Sequence, residues 1–206
     1  MNKKNVGRLL IIIGAMLLAA ALSLNYYNWF HAKQSVSNMD SALAVLKEAI
    51  GDESEITSSA IDDNDNGSES QVVDDNGVEL DGKIYIGTIS LPSLGQEFPV
   101  IKNWSYPDMN VAPCRYDGSR SGRDLIICAH NYKGFFDKLD KLNAGDEVIF
   151  TDIYGRKFNY EVSYSELIGG WDTASMYRGA AEDWDLTLFS FTWSGYSRVT
   201  VRCVRA

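Results

Sequence analysis

Seven short apolar runs in residues 82–206 constrain the fold most, because each has the length and composition of a β-strand. The runs are Ile84–Ile89, Phe98–Ile101, Leu125–Ala129, Glu147–Thr151, Lys157–Tyr164, Leu186–Thr192 and Arg198–Val204. Polar or glycine-bearing turns separate them, and this spacing predicts a closed or sandwich β domain. Short helices are expected at Gly134–Leu142 and Thr173–Gly179. About 125 residues are enough for an independent core.

Residues 1–33 have the pattern of a cytoplasmic tip followed by a transmembrane signal anchor. Three basic residues lie within the first eight, and the apolar run Leu9–Leu24 is extended by aromatic residues to Phe30. As a helix this stretch would be ~33 Å long, enough for a hydrocarbon core of about 30 Å. The basic start predicts a single-pass protein of the cell membrane with an extracellular C-terminal domain. A cleaved signal peptide is the alternative, because the three alanines 19–21 offer small residues.

Two segments separate this anchor from the β domain. Residues 34–50 have a loose helical pattern and are predicted to form a juxtamembrane helical stalk. Residues 51–81 contain 11 acidic residues, no basic residue and no aromatic residue. Such a segment buries too little apolar surface to offset the entropy of ordering, so we predict a disordered acidic linker. A calcium site is an alternative there, although Asp63, Asp65 and Gly67 match the known loop pattern poorly.

The acidic linker accounts for the charge of the protein. The whole chain carries a formal charge of −9, whereas residues 82–206 hold 15 acidic and 14 basic residues, a net −1. The β domain therefore has no excess of basic residues. This balance argues against a nucleic-acid partner, which usually requires a basic surface.

The residues that most often carry metal or covalent chemistry are few. His31 lies next to the predicted anchor, and His130 ends the apolar run LIICAHN. With two histidines and three scattered cysteines there is no zinc pattern, and no glycine-rich phosphate loop is present, so we expect no metal and no cofactor. Cys114, Cys128 and Cys203 are each interpreted as small buried residues. Their odd number leaves at least one free thiol or an intermolecular bond in an extracellular protein.

Five segments taken together resemble the bacterial sortase family. They are YIGTISLPSLGQEFPV (85–100), NWSYPDMNVAPCRYDGS (103–119), DLIICAHNY (124–132), LNAGDEVIFTDIYGRKFNYEV (142–162) and DLTLFSFTWSGYSRVTVRC (185–203). Sortases are membrane-anchored cysteine transpeptidases of Gram-positive bacteria. The resemblance covers about residues 82–206. It implies a mainly β fold, a closed sortase-type eight-stranded β-barrel with short helices, preceded by an N-terminal transmembrane helix.

The resemblance also implies roles for particular residues. His130 matches the family histidine, which acts as general acid or base on the thiol and the leaving amine. Arg198 matches the arginine that opens the last strand and supplies positive charge near the developing oxyanion. Trp193 and Tyr196, together with Arg198, are expected to line a groove that binds the peptide substrate.

The sequence departs from the family at the nucleophile. The family cysteine closes a segment of TLxTC type, and Phe191 occupies that position here. A phenyl ring cannot attack a carbonyl carbon. Ser190 is expected on the opposite face of its strand, Cys128 lies deeper along its own strand, and Cys203 lies roughly 16 Å along the last strand. None of them is expected to replace the missing thiol.

Two functional hypotheses follow from this departure. In the first, the chain is a sortase-fold pseudoenzyme, a binding, regulatory or assembly protein at the cell surface. In the second, it is an active sortase in which this sequence carries a natural or engineered substitution. Sortases cleave LPxTG-type sorting signals and attach the cleaved proteins to the cell wall. The expected partners are therefore secreted proteins with C-terminal sorting signals, a peptidoglycan precursor or another sortase, and the membrane.

Overall fold

The computed structural model describes residues 3–58, 77–177, 184–192 and 194–206. The chain forms two compact units, Met1–Ser35 and Val36–Ala206, and helix α1 spans Lys3–Ser58. Large apolar side chains in the first unit are exposed, among them Leu17 and Leu22. Within the described ranges, no helix is long and apolar enough to cross a membrane.

Besides the later part of α1, the described part of the second unit contains nine β-strands and one short α-helix. The strands are β1 Val78–Leu80, β2 Lys83–Leu91, β3 Gln96–Ile101, β4 Cys114–Asp117, β5 Leu125–Ala129, β6 Glu147–Asp152, β7 Lys157–Gly169, β8 Leu186–Phe191 and β9 Ser197–Arg205. Helix α2, Tyr106–Met109, lies between β3 and β4, and Ser105 caps its first turn by accepting a hydrogen bond from the Asp108 amide.

Strands β2 to β9 close into a barrel in the order β2-β3-β4-β5-β8-β9-β7-β6, with β6 pairing back to β2. Strand β1 extends the ladder on β2 beside this junction. At the junction Gly87 has φ 146°, and a Cβ atom there would lie 2.0 Å from the carbonyl oxygen of Thr151. Glycine is therefore required for the two strands to approach. The predicted closed eight-stranded barrel is confirmed.

Alternation of apolar and polar residues explains why these segments form barrel strands. In β7, Phe158, Tyr160 and Val162 are buried while the residues between them are exposed. Side chains at every second position point to one face of a strand, so one face joins the core and the other meets solvent. All seven predicted runs are strands, although β8 ends one residue earlier than predicted. Strands β1 and β4 were not predicted.

In the part of the chain that the structure describes, each of the two predicted short helices is present only as a single 3-10 turn. The range Gly134–Leu142 contains turns and a single 3-10 turn at Leu139–Lys141, and the range Thr173–Gly179 contains a 3-10 turn at Ala174–Met176. Residues 178 and 179 lie outside the described residues. Both segments are short connections that run over the end of the barrel, where one turn is enough to bury Leu139 or Met176.

The second unit includes the later part of α1, which packs on the barrel. Met39, Leu46 and Ile50 are buried in the common core, and Lys47 forms a 2.5 Å ion pair with Glu97 of β3. The helical pattern predicted for residues 34–50 is thus present as part of a longer helix. A helix of this kind owes its stability mainly to packing of its apolar face rather than to intrinsic propensity.

The acidic segment 51–81, predicted to be disordered, carries secondary structure at both ends. Helix α1 continues into it as far as Ser58, and β1 takes Val78–Leu80 from its other end. The prediction was wrong for these two ends because residues 51–58 continue a helix whose earlier part packs on the barrel, and Val78–Leu80 pair with β2. Residues 59–76, including the calcium candidates Asp63, Asp65 and Gly67, lie outside the described residues.

Candidate active site

Three neighbouring strands bring His130, Phe191 and Arg198 to one end of the barrel. Strands β5 and β8 are parallel and pair Ala129 with Ser190, so His130 and Phe191 both follow directly on a paired position. Strands β8 and β9 are antiparallel and pair Phe191 with Arg198. Because paired residues share a face of the sheet, the register places the three predicted site residues side by side.

Arg198 is almost completely buried, with 6% of its surface exposed. Its Nη1 donates long hydrogen bonds to the carbonyl oxygens of Gly169 (3.4 Å) and Asp172 (3.3 Å). Its Nε is buried and has no hydrogen-bond partner among the described residues. The guanidinium carbon lies 5.1 Å from the ring centre of Phe191, within the range of a cation–π contact. Arg198 therefore holds an unused donor close to the ring of Phe191.

Phe191 ends β8 with a half-buried phenyl ring. The ring packs edge-to-face on Phe189 with the ring centres 6.1 Å apart. A phenyl group has neither a lone pair to attack a carbonyl nor a proton to transfer. Its chemical contribution at this position is limited to apolar contact and to the quadrupole that faces Arg198.

His130 lies just beyond β5 and is half-buried. Its ring stacks on Tyr132 with the ring centres 4.6 Å apart and an interplanar angle of 16°. Burial lowers the pKa of His130, because removal from water disfavours the charged imidazolium. The imidazole is therefore mainly neutral at pH 7 and retains one nitrogen that can accept a proton.

The structure shows where each alternative nucleophile lies. Cys114, Cys128 and Cys203 are free thiols, and all three are buried. Burial raises the pKa of Cys114 and of Cys203 to about 12, and it also raises the pKa of Cys128. A protonated, buried thiol is a poor nucleophile. Ser190 is 1% exposed and, as the neighbour of Phe191 in the strand, lies on the other face of the sheet.

Of the two aromatic residues predicted to line the groove, the structure describes only Tyr196. Trp193 lies outside the described residues. Tyr196 is in the hairpin between β8 and β9 and is 74% exposed, while its carbonyl oxygen accepts a hydrogen bond from the Gly170 amide at 2.7 Å. Its side chain is therefore free to contact a ligand but is not held in place by the core.

Sequence reasoning missed a row of aromatic rings that leads to Phe191. Trp104 contacts Tyr116 and Tyr116 contacts Phe189, each with ring centres 5.2 Å apart, and Phe189 contacts Phe191. We call these four residues the aromatic row. A surface cavity of about 410 Å³ lies beside Trp104 and Tyr116 at the far end of the row. The alternation of phenylalanines in the β8 sequence LFSF was the one available signal.

A second missed feature is Arg202, which is fully buried on the same face of β9 as Arg198. Its guanidinium donates to the carbonyl oxygens of Met176 (3.0 Å) and Ser175 and to the Thr187 hydroxyl (2.8 Å). Its Nε donates to the Glu166 carboxylate at 2.9 Å. We call residues 170–177, the described part of the connection from β7 to β8, the β7–β8 loop. Arg202 holds the end of this loop, at Ser175 and Met176, against β8 and β9.

Arg198 holds the beginning of the same loop through the Asp172 carbonyl. Two hydrogen bonds from Ser175, followed by the charge of Arg198, lower the pKa of the Asp172 carboxyl. In the described part of the chain, no group of three or more His, Cys, Asp or Glu side chains could hold a metal ion. The chemistry that this site can support therefore rests on Arg198, His130 and the surface of the aromatic row.

Comparison with known proteins agrees with this geometry. The family model described as the Sortase domain matches residues 89–206, more than half of the chain. A search of curated proteins found no match.

Solved structures share the fold at low sequence identity. A sortase D5 transpeptidase of Clostridium perfringens is 18% identical with a TM-score of 0.59, and the match covers 82% of this chain and 99% of that one. A lid mutant of sortase A from Corynebacterium diphtheriae is 19% identical with a TM-score of 0.55 and coverages of 79% and 94%. A pilus-related sortase C of Group B Streptococcus is 24% identical with a TM-score of 0.52 and coverages of 62% and 69%. The family model and the barrel together show that this chain belongs to the sortase family.

Proposed function

We propose that this protein is a sortase-family cell-surface protein that binds sorting-signal peptides without cleaving them. The observation that carries the proposal is the register that pairs Phe191 with Arg198. We propose that this phenyl ring stands at the position of the nucleophilic cysteine of the family. The thiols that the structure describes are buried and protonated, so none of them supplies a substitute. The protein is in this view catalytically impaired although its site is otherwise assembled.

Peptide binding is supported by what remains around Phe191. The buried Nε of Arg198 has no partner among the described residues, and an arginine donor suits a peptide carbonyl or a carboxylate. The aromatic row offers apolar contact surface from the cavity beside Trp104 to the ring of Phe191. We propose secreted proteins with C-terminal sorting signals as the ligands, and a peptidoglycan precursor or another sortase as further partners.

The alternative is an active sortase in which this sequence carries a substituted nucleophile. It is favoured by the position of His130 and Arg198 on strands directly beside Phe191, since only the thiol is missing from the set. The two hypotheses differ in one measurable respect. The pseudoenzyme has a groove kept for binding, whereas the substituted enzyme regains catalysis as soon as a thiol returns.

The deciding experiment compares Phe191→Cys with the unchanged protein. Each purified chain is incubated with a panel of LPxTG-type peptides, and intact mass is used to detect a covalent thioester. Phe191→Ala is the control for the space that the ring occupies, and Phe189→Cys is the control for a thiol elsewhere on the same face. We expect no adduct for the unchanged chain or either control.

The two possible results for Phe191→Cys separate the hypotheses. An adduct and peptide cleavage would show that the remaining site is competent and would support the substituted enzyme. Absence of an adduct with every tested motif, in a folded variant, would show that the site has diverged beyond the nucleophile. A thioester on the unchanged protein would refute the proposal that it is catalytically impaired.

Binding is tested separately from catalysis. Titration of an LPxTG-type peptide into the unchanged protein should shift NMR signals of residues around Arg198, and Arg198→Ala should abolish these shifts. Arg156→Ala is the matched control, because Arg156 is paired with Asp152 away from the site. Unchanged spectra for the native sequence would mean that the groove is a relic.

We also propose that residues 9–30 anchor the protein in the cell membrane with the barrel outside. The support is the apolar composition of this stretch and the exposure of its side chains, for example 66% for Leu17 and 70% for Leu22. Membrane fractionation of cells expressing the full chain should place it in the carbonate-resistant fraction. Recovery in the carbonate-soluble fraction would contradict the anchor.

A further inference from the structure

Cys114 and Cys128 lie directly opposite each other on neighbouring strands. Cys114 is the first residue of β4, and the antiparallel register pairs it with Cys128 of β5. Both side chains are 0% exposed, and both are free thiols. The thiol of Cys114 contacts the carbonyl oxygen of Ala112 at 3.3 Å, and the thiol of Cys128 contacts the sulfur of Met109 at 3.7 Å.

The geometry of this pair is compatible with a covalent link. Residues directly opposite in an antiparallel ladder have Cα atoms about 4.5–5.5 Å apart and side chains on the same face. Disulfides span Cα separations of about 4.4–6.8 Å. The two thiols also interact electrostatically. Burial raises the pKa of Cys128, and a negative charge on Cys114 raises it further.

The third cysteine is excluded from this pairing by the sheet itself. Cys203 is opposite Leu186 of β8, whereas Cys128 is opposite Phe189 of the same strand. Leu186 and Phe189 are an odd number of residues apart, so their side chains lie on opposite faces. Cys203 therefore lies on the other side of the sheet from Cys114 and Cys128.

We propose that Cys114 and Cys128 form a cross-strand disulfide when the chain folds in an oxidising environment, and that Cys203 stays a thiol. The two thiols lose two protons and two electrons as the Sγ–Sγ bond forms. The electrons reduce an external disulfide, such as glutathione disulfide, to two thiols. The odd number of cysteines is thereby resolved into one pair and one buried free residue.

The bond would form before the barrel is fully covered. In the folded dithiol, burial raises the pKa of Cys114 to about 12, which leaves very little thiolate to react. The thiol of Cys128 lies 3.7 Å from the sulfur of Met109 in α2, and both residues are buried from solvent and from an oxidant dissolved in it. Oxidation of the folded protein is therefore slow, whereas oxidation during folding is fast.

The disulfide would restrict relative movement of β4 and β5, the two strands that hold Tyr116 and His130 beside the proposed groove. Cys128 precedes His130 by two residues, and β4 carries Tyr116 of the aromatic row. A covalent bond between β4 and β5 fixes the spacing between the strand of His130 and the strand of Tyr116. This role does not depend on the residue at position 191, so the inference stands apart from the question of catalysis.

The test is refolding of the full chain under two redox conditions. The protein is denatured and reduced, then refolded either in a glutathione redox buffer or in excess reductant. Trypsin cleaves after Arg115 and Arg123, so the two cysteines fall in separate peptides, and a non-reduced digest reveals a linked pair by mass. Cys203→Ala and Cys128→Ala are compared with the native sequence.

In the redox buffer we expect the Cys114–Cys128 peptide pair in the native chain and in Cys203→Ala, but not in Cys128→Ala. The bond closes a loop of about 15 residues, so the melting temperature should exceed that of the reduced form by about 5–10 °C. Three free thiols after refolding in the redox buffer, or a main product that links Cys203, would overturn the proposal. Native chain and Cys203→Ala decide the result even where Cys128→Ala does not fold.

Discussion

Replacing Arg202 with methionine tests whether one buried cation holds the β7–β8 loop on the barrel. Arg202 is 0% exposed and donates to two loop carbonyls, Ser175 and Met176, as well as to Thr187 and Glu166. Methionine keeps most of the side-chain volume, so the change removes the hydrogen bonds and the charge while leaving only a small cavity.

The expected loss in the free energy of unfolding is about 3–5 kcal/mol. Removing one partner of a buried ionic network typically has a cost of this size, because the remaining polar groups lose their partners without returning to water. The carbonyl of Met176 and the hydroxyl of Thr187 are in that position. The Glu166 carboxylate is 38% exposed and can be hydrated, so we assign it a minor share.

Urea denaturation followed by circular dichroism measures the effect. Thr187→Val is the matched control, because it removes one of the four acceptors and should lower the free energy of unfolding by about 1 kcal/mol. A loss below about 1 kcal/mol for Arg202→Met would refute the reasoning, since it would mean that the loop is held by other contacts. Arg202→Lys should recover part of the loss, because an ammonium keeps the charge but lacks the planar set of donors.

Further predictions concern the histidine and the docked helix. Burial lowers the pKa of His130, so its NMR titration midpoint should fall below the ordinary value of 6.5, with His31→Gln used for assignment. The unfolded chain then binds a proton at this position more readily than the folded chain does. The contribution of His130 to the free energy of unfolding is therefore fully present above pH 6.5 and is lost as the pH drops through that value. His130→Gln should remove this part of the pH dependence. Gly134 has φ 89°, and a Cβ atom there would lie 2.7 Å from a methyl group of Val36, whereas Gly145 has φ 91° and open space around it. Gly134→Ala should therefore destabilise the second unit by about 1 kcal/mol more than Gly145→Ala in thermal melts, and equal losses would show that the Val36 contact contributes nothing.

Strands with regular alternation, or with a continuous apolar run such as that of β5, could be predicted from the sequence, whereas those defined by their partners could not. In β7 the apolar residues recur at every second position from Phe158 to Val162, and this strand was found. Strand β4 has only four residues, and its pairing with β3 rests on the single register position Ile101–Cys114. Such a strand exists because its neighbours supply hydrogen bonds, and its own residues carry little signal.

The candidate site could likewise be predicted from the sequence only in part. The resemblance to sortases placed His130, Phe191 and Arg198 at matching positions, and the register brings the three strands together. The double role of Arg198, beside Phe191 and bonded to the Asp172 carbonyl, depends on the path of the β7–β8 loop. No local pattern encodes that path, because the loop is positioned by contacts with residues far along the chain.

The pairing of β2 with β6, which closes the barrel, also affects how fast the chain can fold. Gly87 of β2 pairs with Asp152 of β6, and Leu125 of β5 pairs with Leu186 of β8, so each junction joins residues some sixty positions apart. Closing such long loops costs entropy before any contact compensates for it, and domains of this topology fold in milliseconds to seconds rather than microseconds. The hairpins β2–β3 and β6–β7 are local and can form early. The two long-range junctions are expected to form after these hairpins, and at the β2–β6 junction Gly87 leaves the space that the two strands need.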